Sequence, residues 1–224
     1  MKHIFTGLVL LFLTSVFVNA DDGTSKIIEL KLQPAAAPEP NDKYRLLLKP
    51  EEQNDSDALP LYEKAIQIFP EDFQKDRIKD WLKSPLNELP SEQVESVLQR
   101  FKPSMQLVEQ AAKCKNCFWP FEVEVDPDIL NKYKILASAL ALKAHLFIVQ
   151  GHYDNAVDTI RIALSMARHL ANSSSMQKNL TGIAVGALIC NQLEQLIQSQ
   201  DAPNLYWAFQ SLPRPFIDLT DQIN

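Results

Sequence analysis

Apolar residues recur at helical spacing along most of the chain after residue 58 and predict a series of α-helices. Side chains three and four positions apart share one face of a helix, so this spacing indicates amphipathic helices. Pro103 is expected to kink or split the second helix, because its ring clashes with the preceding turn. The spacing predicts helices over roughly 58–69, 91–114, 129–150, 154–171 and 174–199, and a short helix from Leu205 to about Leu212.

The first twenty residues have the pattern of a secretory signal peptide. Lys2 precedes a largely apolar run from Ile4 to Val18, and small or apolar residues lead up to Ala20. A bilayer needs about 20 apolar residues, so this run is too short to span one. The order of charged, apolar and small residues predicts cleavage after Ala20 and export to the periplasm or the extracellular space. The alternative is an uncleaved membrane anchor.

Residues 21–57 are expected to form an extended or flexible linker. The alternation of apolar and polar residues over 26–32 predicts an edge strand, and the proline-rich stretch 34–40 predicts a stiff, extended segment. The predicted domains are therefore a signal peptide (1–20), a linker (21–57) and a helical domain (58–224).

The segment around Gly151 resembles a tetratricopeptide repeat, in which two antiparallel helices form a hairpin. Gly151 is expected to end the first helix in a left-handed conformation, and Asp154 to cap the second. Lys143 and Arg168 depart from the repeat pattern, because the family usually has Leu and Pro there. The resemblance implies an α-solenoid fragment with a hairpin at about 129–171. It rests on Leu140, Ala144, Phe147, Gly151, Tyr153, Ala156, Ile160 and Ala163.

In such hairpins the first helix lines the surface that contacts a peptide ligand. This register places a stripe of five residues on that surface, suited to an extended or helical peptide. The alternative is that the same residues belong to the core. The predicted partner-binding residues are Ser138, Ala141, His145, Ile148 and Val149.

Cys114 and Cys117 form the one reactive motif of the chain. In an exported protein they are expected to form a structural disulfide. Unreactive thiols, a redox pair and a metal site are the alternatives. A redox pair would favour the start of a helix, whereas this pair follows the end of a predicted one. A zinc site would need two more ligands.

Charge and motifs exclude several classes of function. The chain of 224 residues has a formal net charge of −6, which argues against binding nucleic acid by neutralising phosphates. It contains no H-E-x-x-H, G-x-S-x-G or glycine-rich phosphate-binding motif, so we expect no enzymatic activity, metal or cofactor. After signal cleavage we expect no membrane span. Gly182 and Gly186, four residues apart, predict that a neighbouring helix packs closely.

Four short segments resemble a family of exported, largely helical proteins encoded in planctomycete bacteria. They are Lys43-Tyr-Arg-Leu-Leu47, Gly182-Ile-Ala, Ala202-Pro-Asn-Leu-Tyr-Trp-Ala208 and Leu212-Pro-Arg-Pro215. The resemblance covers most of residues 43–219. It implies export and a helical architecture but no activity. Many members are longer, which leaves open a further domain beyond Asn224.

These patterns together predict a non-catalytic exported scaffold or protein–protein interaction module, whose partner is an unknown protein or peptide. Two alternatives remain at this point. One is a thiol redox or enzyme-accessory protein that uses Cys114 and Cys117. The other is a structural envelope component that associates with itself.

Overall fold

α-Helices dominate the computed structural model, which describes residues 43–70, 75–120 and 126–218. The all-α class is therefore confirmed for this part of the chain. The predicted signal peptide, the strand at 26–32 and the stretch 34–40 lie outside it. The described elements are β1 (Asn54–Asp57), α1 (Leu59–Gln67), α2 (Lys75–Lys83), α3 (Ser91–Ala112), β2 (Cys114–Asn116), α4 (Pro127–Val149), α5 (Tyr153–Ala171), α6 (Met176–Gln198) and α7 (Tyr206–Gln210).

α4 and α5 form a helical hairpin around a tight turn. Gly151 has a φ of +71°, as predicted, and glycine adopts this left-handed conformation without steric cost. Small side chains between the two helices allow them to pack closely. Three alanines of the hairpin are fully buried, namely Ala144, Ala156 and Ala163. The predicted cap is wrong, because the residue at the N-cap position of α5 is His152. Asp154 lies in the first turn and instead accepts hydrogen bonds from Lys43 and Tyr44.

α6 packs against both α5 and α4, and at one point it lies very close to α5. A Cβ atom added to Gly182 would lie 2.6 Å from the backbone oxygen of Ala167 and 2.6 Å from the backbone nitrogen of Ala171. Gly186 has more room, because a Cβ there would have no neighbour nearer than 3.9 Å. Close packing, predicted for both glycines, therefore depends on Gly182.

α6 is also the helix among the described residues that is long and apolar enough to cross a membrane, judged by length and composition alone. Within its most apolar window, 44% of the residues are buried inside the protein. Core helices of soluble proteins meet the same criterion, and α6 has two helical neighbours here.

α3 continues through Pro103 as one helix, whereas a kink or a split was expected. Proline removes the hydrogen bond to the carbonyl four residues earlier, which belongs to Gln99. Both residues lie on the exposed face of α3, so water can bond to that carbonyl. The buried face of the helix continues past the proline, and Phe101 packs edge-on against Phe69 at 5.5 Å between ring centroids.

β1 and β2 form a parallel pair in which Asn54 lies opposite Cys114. The segment that leads to β1 is also packed, since Leu46 is fully buried. Glu52 forms an ion pair of 2.6 Å with Arg161 of α5. The predicted linker of residues 21–57 is therefore wrong for its described part, because residues 43–57 pack against the helices. The sequence Asn54–Asp57 is polar and gave no sign of a strand.

Candidate functional site

The predicted partner-binding stripe on α4 is mostly covered. Ala141 and His145 are fully buried and Ile148 is 3% exposed, while Ser138 and Val149 are half-buried. α6 lies over this side of α4, and Gln192 of α6 accepts a hydrogen bond of 3.1 Å from Nδ1 of His145 in the tautomer that protonates this nitrogen. Burial lowers the pKa of His145. The five residues therefore do not form an open surface.

The predicted disulfide is absent, because Cys114 and Cys117 are free thiols that are not within bonding distance. Cys114 begins β2, and an extended segment advances about 3.3 Å per residue. Positions three apart along such a segment are separated by up to about 10 Å between Cα atoms, whereas a disulfide requires about 4.4–6.8 Å. The pairing of β2 with β1 thus separates the two sulfurs.

The environment of these cysteines also disfavours thiolate chemistry. Both side chains are buried, and the Sγ–H of Cys114 donates to the carbonyl of Gln110 at 3.6 Å. Burial, together with the nearby charge of Asp57, raises the pKa of Cys117 to about 12. A reactive cysteine needs a lowered pKa, because the thiolate is the nucleophile.

A cluster of aromatic and imidazole groups lies next to the cysteines, where α1, α4, α5 and the segment after β2 meet. Tyr62 is fully buried, and its hydroxyl lies 2.9 Å from Nδ1 of His169. The indole of Trp119 donates to the carbonyl of His169 at 2.6 Å. Tyr133 packs edge-on against both Tyr62 and Trp119. The buried ammonium of Lys178 lies 4.6 Å from the centre of the Trp119 ring.

His169 and Tyr62 are both neutral at physiological pH in this environment. Burial lowers the pKa of His169 to about 4, although a hydrogen bond to the backbone of Cys114 opposes the shift. The ring therefore donates to Cys114 and accepts the hydroxyl proton of Tyr62 at Nδ1. Burial also holds the pKa of Tyr62 well above its usual value. This arrangement stabilises the junction of the elements and provides no group that exchanges protons near pH 7.

The outer face of α6 is the described surface with the most exposed apolar side chains on one helix. Its exposed residues recur three to four positions apart, so they form a single stripe. The exposed fractions are 63% for Met176, 56% for Leu180, 39% for Ile183 and 38% for Ile197. Ala184, Ala187 and Cys190, also exposed, continue the apolar stripe as far as Cys190, and the exposed Asn191 and half-buried Glu194 separate it from Ile197.

Sequence reasoning did not identify this stripe or the Tyr62–His169 pair. One signal for the stripe was present, because α6 is apolar on more than one side, and a helix with one buried face should be polar on the other. No local signal pointed to the pair, since its members lie 107 residues apart.

Comparisons with protein families, curated proteins and solved structures found nothing that matches this chain. The resemblance to exported planctomycete proteins therefore stays a prediction. Within residues 43–70, 75–120 and 126–218, no group of three or more His, Cys, Asp or Glu side chains is positioned to hold a metal ion.

Proposed function

We propose that this protein is a non-catalytic, exported interaction module that binds its partner through the outer face of α6. The observation that carries the proposal is the stripe of exposed apolar side chains along that helix. Exposed apolar patches on soluble proteins are often interaction surfaces. The proposal includes a tetratricopeptide-like α4–α5 hairpin, against which α6 packs.

In helical repeats each unit buries its apolar face against the next, and a terminal unit needs a polar outer face to stay soluble alone. The outer face of α6 is apolar, which favours a partner that covers it.

The partner we propose is a second copy of this chain. α6 contains one basic residue, Lys178, which is buried, and one acidic residue, Glu194, near its C-terminal end. The stripe from Met176 to Cys190 is therefore uncharged, and two copies meet there without repulsion between like charges. The chain as a whole has a net charge of −6, which disfavours contact through its more charged surfaces.

The geometry suits an antiparallel helix pair about a two-fold axis near Ala187. This arrangement places the small residues Ala184 and Ala187 at the centre, where helices approach most closely. The Met176 end of one copy then lies beside the Ile197 end of the other. Two-fold pairing uses the same surface on both subunits and closes without forming a filament.

The size of the stripe indicates a weak dimer. A helix of 23 residues is about 34 Å long, and one face is about 10 Å wide, which gives roughly 340 Å² of footprint. A standard interface takes about 800 Å² from each partner. Self-association through α6 alone is therefore expected to depend on concentration and to be reversible.

Sedimentation equilibrium over a concentration series tests this proposal. The wild-type chain should show an average mass that rises with concentration, and Leu180→Glu should remain monomeric, because dimerisation would bury its charge. Ile68→Glu is the matched control, since Ile68 is 44% exposed at the end of α1. This variant should associate like the wild type.

Cys190 gives a second measurement on the same face. Its thiol is exposed, whereas those of Cys114 and Cys117 are buried. A bifunctional thiol reagent should therefore link two wild-type copies and fail to link Leu180→Glu. A wild-type chain that stays monomeric up to about 1 mM, the concentration that matches about 4 kcal/mol of binding free energy, contradicts the proposal. Binding of a monomeric wild-type chain to lipid vesicles through Leu180 would instead assign the face to a membrane surface.

A further inference from the structure

A cleft of about 340 Å³ lies where the C-terminal end of α5 meets β2, the segment 47–53 and the segment 215–218. Ligand sites usually occupy about 300–1,000 Å³, so this cleft suits a small molecule. It lies apart from the outer face of α6 and is independent of the function proposed for that face. α5 continues past Arg168, and its last residue, Ala171, and the following Asn172 both line the cleft.

Hydrogen-bond donors dominate the polar part of the lining. Arg168 and Lys115 bring two cationic groups, and Gln53 and Asn172 bring side-chain amides. Neither cation is paired with a carboxylate in the described part of the chain. Asp218 is the one carboxylate among the lining residues. The cleft therefore has an excess of positive charge, although the protein as a whole is acidic.

The apolar part of the lining comes from other segments. Leu47 and Leu48 precede β1, and Phe216 and Ile217 follow α7. His169 also borders the cleft, but both of its ring nitrogens are occupied by Tyr62 and Cys114. It contributes a neutral ring rather than a third positive charge.

We propose that this cleft binds a small organic oxyanion, in which a carboxylate or phosphate group contacts Arg168 and Lys115 and an apolar part lies against Phe216 and Leu47. The planar guanidinium of Arg168 forms two parallel hydrogen bonds to such a group. Lys115 adds a second positive charge, and the amides add donors. A ligand that is only an ion would leave the apolar side of the cleft unused.

Partial burial of Arg168 also favours the binding of an anion. The residue is exposed, yet partial burial of its side chain lowers the pKa of its guanidinium. A cation that has lost part of its hydration gains more from a bound anion than a fully hydrated one. Arg168 also lies in the last turn of α5, where a cation is favourable to the helix dipole. That role alone would require no ligand, so the experiment must separate the two.

Two-dimensional NMR titration at low ionic strength separates them, with benzoate and inorganic phosphate as probes. Benzoate should cause saturable shifts at the side-chain amides of Asn172 and Gln53. Added salt should weaken its binding, because salt screens the charges. Arg168→Gln and Lys115→Gln should each weaken binding at least about tenfold, the equivalent of about 1.4 kcal/mol. Arg168→Lys keeps the positive charge but cannot form the two parallel hydrogen bonds of a guanidinium, so it should give an intermediate affinity.

The matched control is Lys79→Gln, which removes one exposed positive charge on α2, outside the cleft. It should bind benzoate within about twofold of the wild type. The proposal is wrong if the wild type shows no saturable shift at the cleft, or if Arg168→Lys binds no better than Arg168→Gln. It is also wrong if phosphate saturates the cleft and benzoate does not, since the apolar wall would then have no role.

Discussion

The burial of the His169 imidazole makes the stability of the protein depend on pH. Burial lowers the pKa of His169 from its usual 6.5 to about 4. Between these values the imidazole is therefore neutral in the folded chain and protonated in the unfolded chain. The unfolded state binds more protons between these two values, and stability is therefore lost as the pH falls from about 6.5 to 4. Above about pH 6.5 the full stability is present.

We expect the free energy of unfolding to fall by about 2 kcal/mol between pH 7.5 and pH 5 through His169 alone. His169→Asn should remove that part of the pH dependence, because asparagine does not titrate and its oxygen still accepts from Tyr62. Urea denaturation of both proteins at the two pH values measures the difference. His152→Asn is the control, since His152 is exposed, and it should keep the wild-type slope. Equal slopes for wild type and His169→Asn would contradict the assignment.

Single residues with a local conformational requirement were predictable from the sequence. Gly151 has the left-handed φ that its place after a helix requires, and Ala144 and Ala156 are buried where the hairpin needs small side chains. The burial of His145 was not predictable from the sequence. Whether its side of α4 meets a ligand or another helix depends on where α6 packs, and no residue near His145 encodes that.

The contact between α5 and α6 depends on Gly182 much more than on Gly186. A Cβ at Gly182 would meet backbone atoms at 2.6 Å, and backbone cannot move aside without shifting a helix. Overpacking of this kind costs typically 1–3 kcal/mol. A Cβ at Gly186 has only ordinary contacts at 3.9 Å, and alanine favours a helix over glycine by roughly 1 kcal/mol.

We therefore expect opposite outcomes from two chemically identical substitutions. Gly182→Ala should lower the free energy of unfolding by at least about 1–3 kcal/mol. Gly186→Ala should raise it by up to about 1 kcal/mol. Chemical denaturation of the two variants beside the wild type gives both values. If the two substitutions destabilise equally, the close approach of α5 to α6 does not occur at Gly182.

Long amphipathic helices were predictable, and short polar elements were not. α3, α4, α5 and α6 begin and end within a few residues of the predicted bounds, because each carries a repeated apolar face. α2 was missed, since the sequence of Lys75–Lys83 is highly charged, and of its apolar residues Ile78 and Trp81 are buried. β1 and β2 were missed because the pairing joins residues about 60 positions apart, so neither strand has a local signal.

For the whole molecule, the prediction that decides the compartment is export with cleavage after Ala20. It rests on the charged, apolar and small residues of positions 1–20, which lie outside the described part of the chain. Intact-mass measurement of the protein recovered outside the cytoplasm should give a chain that begins at Asp21. A recovered chain that still begins at Met1 contradicts cleavage and favours the anchor.

The sequence alone did not reveal the two candidate surfaces of the molecule. The stripe on α6 depends on which helix faces find a neighbour, and the cleft at Arg168 depends on segments from residues 47 to 218 meeting at one place. Periodicity fixes which side of a helix is apolar, but it does not say what covers that side.

Residues 43–62 leave the ribosome well before the residues that they contact in the folded protein. Lys43 with Asp154, Glu52 with Arg161, and Tyr62 with His169 join positions 111, 109 and 107 residues apart. Ribosomes add roughly 5–20 residues per second, so the front segment emerges about 5–20 s before its partners. For that interval these three contacts are absent, and β1 has no strand beside it until β2 emerges about 60 residues later. Chaperones therefore meet this part of the chain while it still lacks its native contacts.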